Sequence, residues 1–272
     1  MTFQPIVPVG GYGGWAFLKR TMDRQLAVHA AQPALRRDAD YFRGRIAQIE
    51  SAEQLVADRR LLRVALGAFG LEADIDNRFF IRKVLDDGTL DPKALANRLA
   101  DKRYQALSAA FGFGDFAVPR SRIGGFAERI VAAWESRQFE AAVGTVDENL
   151  RLALNARRDL AEIGGKTMSE PARWFTVMAQ PPLRKVFEVA YGLPPAFAAL
   201  DVDRQRVILE DKSRAAFGSR GVSQFTDPER MEQLLRRFLI RAEAAQGPAT
   251  TAPASAALHL LRQQVPPLPR PG

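Results

Sequence analysis

Apolar side chains recur three and four positions apart along most of the chain, the spacing that lines one face of an α-helix. Trp15, Leu18, Met22 and Leu26 form the first stripe, which ends before Pro33. A second helix is predicted over Ala34–Ile49, with Tyr41, Phe42, Ile46 and Ile49 inward. Ser51 followed by Gln54 is a capping box, and it opens a helix through Leu55, Leu62 and Leu66. Asp74 or Asp76 starts a short helix carrying Phe79, Phe80, Ile81, Val84 and Leu85, which Asp86–Gly88 stops. Asp91 with Pro92 behind it opens another, running past Leu95, Leu99, Tyr104 and Leu107 to Phe111.

Gly112, Gly114, Pro119, Gly124 and Gly125 mark a break. Helical spacing resumes through Phe126, Ile130, Val131, Trp134 and Phe139, is kinked or ended at Gly144, and extends in a second piece to Gly164. Ser169 caps a helix holding Trp174, Phe175 and Val177; Pro181 and Pro182 break the chain before the next. Pro194 and Pro195 open a short turn, Asp201 caps another helix, and Asp227 with Pro228 begins the last, amphipathic through Met231, Leu234, Leu235, Phe238 and Leu239. The β-branched cluster Ile6–Val9 is interrupted by Pro8 and is at best an edge. The pattern predicts an all-α, multi-helical fold. Residues 1–14 carry prolines and glycines at a density no helix tolerates and read as an irregular lead-in, and residues 247–272 as a disordered Pro-rich tail.

One stretch occurs twice. R-R-L-L-R-V-A-L-G-A-F-G-L, Arg59–Leu71, is echoed by P-L-R-K-V-F-E-V-A-Y-G-L, Pro182–Leu193. At an offset of 122 (183 minus 61) Leu61 falls on Leu183, Val64 on Val186, Ala68 on Ala190, Phe69 on Tyr191, Gly70 on Gly192 and Leu71 on Leu193. Each copy ends in aromatic-Gly-Leu, the signature of a helix closed by a left-handed glycine. The Asp-Pro starts at Asp91 and Asp227 extend the pairing. Two related helical halves follow, 15–163 and 166–246, with Gly164 and Gly165 as the hinge.

Composition narrows the chemistry. There is no Cys, which excludes disulfides, thiolate metal sites and Cys nucleophiles, and the only histidines, His29 and His259, are far apart. Net charge is +8, which raises nucleic acid as a partner, yet the basic residues are interleaved with acids and form no block of five. No apolar run approaches the roughly 20 residues that cross a bilayer, and the start lacks a signal-peptide pattern.

Gly11–Ala16, G-Y-G-G-W-A, matches the G-x-G-x-x-A dinucleotide fingerprint formally. That mechanism needs a strand before the glycines and a parallel strand after the helix, and neither is predicted. No G-K-[S/T] follows, so a P-loop is excluded. D-I-D-N at Asp74 begins like a calcium loop but meets Arg78 where an oxygen ligand should stand, so helix capping is the better reading. Glu210–Asp211 and Asp86–Asp87 are carboxylate pairs in sequence only, and neither histidine has an evident catalytic partner. No catalytic, cofactor-binding or metal-binding residue is assigned, and no cofactor. The tail carries P-P-L-P-R-P just before Gly272, which matches a polyproline ligand.

The repeated stretch, followed by F-I-R-K-V-L-D-D-G and D-P-K-A-L-A-N-R-L-A-D-K-R-Y, resembles a bacterial domain family of unknown function, DUF twelve-seventeen. The resemblance extends from Tyr41 to Phe238 and takes in P-L-R-K-V-F and D-P-E-R-M. The family has no established activity; its members are often encoded among flagellar genes. The resemblance implies a role in motility or flagellar assembly. Together with the duplicated helical pattern and the absence of a convergent polar site in the sequence, it leads to the expectation of a non-enzymatic interaction protein with flagellar or export components as partners, cytoplasmic or flagellum-associated. The alternatives are a basic nucleic-acid-binding regulator and, third, a nucleotide-binding enzyme.

Overall fold

A computed structural model describes residues 3–246, so the expectations for the tail, His259 and P-P-L-P-R-P lie outside the described residues. Thirteen α-helices and no strand occur among them. In chain order they are α1 Gly11–Ala30, α2 Pro33–Arg45, α3 Ala52–Ala57, α4 Arg59–Phe69, α5 Arg78–Asp87, α6 Leu95–Arg98, α7 Lys102–Phe111, α8 Phe126–Gly144, α9 Glu148–Gly165, α10 Glu170–Met178, α11 Pro181–Tyr191, α12 Val202–Phe217 and α13 Pro228–Gln246. The fold is all-α, as the periodicity requires.

The capping signals account for most boundaries. The backbone N–H of Gln54 donates to Ser51 Oγ at 3.2 Å, and the Gln54 side chain accepts from the N–H of Glu50 at 2.8 Å. Asp147, Ser169 and Asp201 each accept from backbone N–H groups at the start of α9, α10 and α12. Three boundaries differ from the sequence reading. Asp58 accepts from Arg60 and Leu61 N–H, so a second cap divides the expected single helix into α3 and α4. The helix expected from Asp91 to Phe111 is interrupted at Leu99–Asp101, where Asp101 caps α7. α1 begins at Gly11 rather than Trp15, because Gly11 adopts a left-handed φ of 61° and Gly14 lets the helix approach the Val9 carbonyl.

The repeated stretches have the same backbone ending. At α4 the N–H of Leu71 reaches the Leu66 carbonyl at 2.9 Å and that of Gly70 the Gly67 carbonyl at 3.1 Å; at α11 Leu193 reaches Glu188 at 2.9 Å and Gly192 reaches Val189 at 3.1 Å. Both are Schellman closures around a glycine at φ 71° and 63°. The second repeated element is not the Asp91 segment, which makes only a turn and the four-residue α6. It is α8: α4 packs along α8 as α11 packs along α13. Arg137 Nε on α8 donates to the Ala68 carbonyl at 2.9 Å, and Arg237 Nε on α13 donates to the Ala190 carbonyl at 2.7 Å. Ala68 and Ala190 are the aligned alanines, and each guanidinium sits at the negative end of its helix dipole. The paired residues are 69 apart in one copy and 47 in the other, so an insertion hides the match from an ungapped comparison. Gly192→Ala is expected to cost about 1 kcal/mol, since alanine disfavours positive φ and its Cβ would displace the Arg241 guanidinium. Urea unfolding measures it, and a midpoint equal to wild type would contradict the cap.

Two buried clusters form the cores. One gathers side chains from α2, α3, α4, α5, α7 and the first half of α8, with Phe42, Leu62, Phe111 and Trp134 among them. The other takes Trp15 and Leu18 from α1, Phe139 and Val143 from the end of α8, and the buried faces of α9 to α13. The cores therefore divide within α8 and not at Gly164–Gly165. α1 joins the C-terminal core because Tyr12 Oη and Lys19 Nζ both reach Glu232 on α13, at 2.9 and 3.0 Å. Gly164 packs against the Thr226 side chain at the edge of this core.

Candidate functional site

The motifs weighed in the sequence take the following places in the fold. The glycines of G-Y-G-G-W-A open α1 and let it pack on Val9 and α13, with Trp15 fully buried. Asp74 caps no helix: it accepts from the Tyr104 hydroxyl at 2.6 Å and from Asn77 Nδ2 at 2.9 Å, and Asp76 pairs with Arg59. Burial, then the bond to Asp74, pushes the Tyr104 hydroxyl up to about 12. Asp86 and Asp87 pair separately with Arg82 and Lys83, and Glu210 and Asp211 with Arg206 and Arg220. His29 is buried between Phe3 and Phe139, and burial lowers its pKa. No group of three or more acidic or imidazole side chains suited to a metal occurs among the described residues.

The polar side chains that do converge lie between the two cores, where α8 and α9 cross. Trp134 belongs to one core and Phe139 to the other, and the turn between them is polar. Arg158 Nη1 from α9 donates to both oxygens of Glu140 at 2.6 Å, and its Nε donates to Asp159 Oδ1 at 2.8 Å. Asn155 Nδ2 holds the other oxygen of Asp159 at 3.0 Å. Burial raises the Glu140 carboxyl above the usual carboxylate range although Arg158 and Arg137 oppose it. Burial lowers the Arg158 guanidinium, but Asp159 and Glu140 outweigh it and the net shift is upward. For Arg137, burial and then the neighbouring Arg158 both favour the neutral form.

Arg137, Arg158 and Asp159 line a cavity of about 280 Å³ that opens between the end of α4, the start of α7 and α8 to α10. Arg103 closes one side, donating to the Gly70 carbonyl and, at 2.6 Å, to Asp101. A larger groove of about 760 Å³ runs beside α11 and the end of α13. Its far wall is Ala244 and Ala245, next to residues that are not described.

Arg137, Arg158 and Asp159 were not singled out from the sequence, although a signal exists. Arg137 and Gln138 stand three and four positions after Trp134, and Asn155 and Asp159 stand four apart on α9 among buried leucines. Charged or amide side chains in register with an apolar stripe mark a buried polar layer.

The chain matches a crystal structure of a protein from Agrobacterium tumefaciens with a TM-score of 0.73 and 26% identity, over 90% of this chain and 100% of that one. No curated protein matches it. No helix of the described residues is long and apolar enough to cross a membrane. A family model, "Protein of unknown function (DUF1217)", matches residues 68–231, a narrower span than Tyr41–Phe238 but more than half of the chain. The chain belongs to the DUF1217 family.

Proposed function

We propose that the protein acts without catalysis, as a helical interaction component in bacterial flagellar assembly or motility, with flagellar or export proteins as partners. The observation that carries the interaction reading is Phe79 at the start of α5, which is 77% exposed although its neighbours Ile81, Val84 and Leu85 are buried. The Arg82 guanidinium lies 5.8 Å from its ring centroid. An exposed aromatic beside an arginine has the composition of the anchors that dominate protein interfaces. Leu90 and Val118 are exposed on the same half, at 68% and 61%. The flagellar context rests on the gene neighbourhood typical of the family, an associational support.

Deletion of the gene is expected to abolish swimming and shorten or remove filaments. Complementation with wild-type protein should restore both, and a stably folded Phe79→Asp variant should not. Unchanged swimming and filament number in the deletion strain would reject the flagellar role. Full complementation by Phe79→Asp would reject the Phe79 face as the point of contact.

A further inference from the structure

Arg137 is placed as a ligand-binding arginine is placed. It uses one of its five N–H donors, Nε, on the Ala68 carbonyl, and that bond fixes its guanidinium at the cavity wall. No carboxylate of the described residues pairs with it; the charges it senses, from Arg158, Asp159, Glu140 and Glu72, act through space. Arg158 lines the same cavity, and its Nη2 is buried with no hydrogen-bond partner among the described residues. The acids of the wall are committed elsewhere: Asp101 to Arg103, Glu162 to Lys166, and Asp159 to Arg158 and Asn155. Glu140 has both oxygens on Arg158. Glu72 lies behind the wall, where burial raises its carboxyl and Gln138 donates to it at 3.5 Å. What remains is the Arg137 guanidinium with its terminal donors to give, beside the charge of Arg158 and between small apolar surfaces of Ala68, Ala106, Ala133 and Ala179.

We propose that this cavity binds a single carboxylate carried on a short apolar body, with the terminal nitrogens of Arg137 as donors and the Arg158 guanidinium beside them as the supporting positive charge. The planar guanidinium fork matches a planar carboxylate through two parallel N–H···O bonds. Inorganic phosphate offers the guanidinium its oxygens but has no apolar body to lie against the alanine walls. A volume of about 280 Å³ suits a body of a few carbons flanked by alanines. A free short-chain carboxylic acid and the side chain of a glutamate offer the same group. Phe79 does not line the cavity, so the two sites fail or stand separately.

The test is an NMR titration of the full chain labelled at arginine side chains, read at the Nε–Hε resonances. Butyrate, inorganic phosphate at equal ionic strength, and an acetylated and amidated Ala-Glu-Ala peptide are added in turn. Butyrate or the peptide is expected to shift the Arg137 and Arg158 signals saturably, and phosphate only gradually. Saturation by the peptide at concentrations roughly tenfold below butyrate would assign the carboxylate to a protein partner; the reverse order would assign it to a free acid. In Arg137→Gln the midpoint should move up by roughly tenfold or more, and Arg137→Lys, which keeps the charge but not the fork, should lie between. No saturable shift with either carboxylate, or the same midpoint in both variants, overturns the proposal. If neither variant folds, wild-type shifts at Arg137 no larger than those of the exposed arginines overturn it equally.

Discussion

Arg158→Met is expected to lower the free energy of unfolding by about 3–5 kcal/mol at neutral pH, measured by urea denaturation. The loss comes less from the missing attraction than from what is left behind. Glu140 is 8% exposed and gives both oxygens to Arg158. With the guanidinium gone, the remaining cation that acts on it, Arg137, is held by its Nε bond to the Ala68 carbonyl. Burial already holds the Glu140 carboxyl above its ordinary value, and losing Arg158 raises it further. The sign of the pH dependence follows. A carboxyl whose folded pKa is raised gives stability that is present below its unfolded value and is lost as pH rises through the folded value. The gap between variant and wild type should therefore narrow as the solution is acidified, because Glu140 can then enter the fold neutral. Replacing both members, Glu140→Leu with Arg158→Met, should recover much of the loss. A single variant within about 1 kcal/mol of wild type at neutral pH would mean that water reaches Glu140 and the layer is not dry.

The helices were legible because their signals are local. Ser51, Ser169, Asp201 and the glycines at 70 and 192 each act within a turn of their own position, and each does in space what its residue type predicts. Misreadings arose where a second local signal competed. Asp58 and Asp101 lie inside apolar-periodic runs, and a capping carboxylate there outweighs the period. Phe79 keeps the helical spacing of a core residue yet points outward, which no periodicity can report. The partition into cores was hidden for a different reason. It depends on α1 returning to α13 through Glu232, a contact between residues 220 apart. The cavity was invisible for the same cause: Arg137 takes its meaning from Ala68 on one helix and Arg158 on another. The repeat, by contrast, was half visible, since the closures of α4 and α11 align without gaps while the partner helices α8 and α13 are displaced by the insertion.

Phe187→Ala is the companion test, and it asks whether two cores make two folding units. Phe187 is fully buried on α11, with the rings of Trp174, Tyr191 and Phe225 centred 5.1, 5.6 and 5.6 Å away. Truncation there removes an aromatic from the middle of the C-terminal core and is expected to cost about 3–5 kcal/mol. If Gly164–Gly165 were a hinge between independent halves, only the C-terminal part would melt earlier. The path of α8 argues otherwise, because one 19-residue helix supplies Phe126, Val131 and Trp134 to one core and Phe139 and Val143 to the other. Unravelling its last turns would expose the Glu140–Arg158 layer and remove the carbonyl ladder beneath Trp134. The loss should therefore appear as one cooperative transition at a lower denaturant concentration, the same by every probe. Fluorescence distinguishes the cases: Trp134 reports the N-terminal core, while Trp15 and Trp174 report the C-terminal one. Single-tryptophan versions of Phe187→Ala should give superimposable curves. Separated midpoints, with Trp134 unmoved from its wild-type value, would show that the polar layer uncouples the cores and that the cavity sits between two bodies free to part.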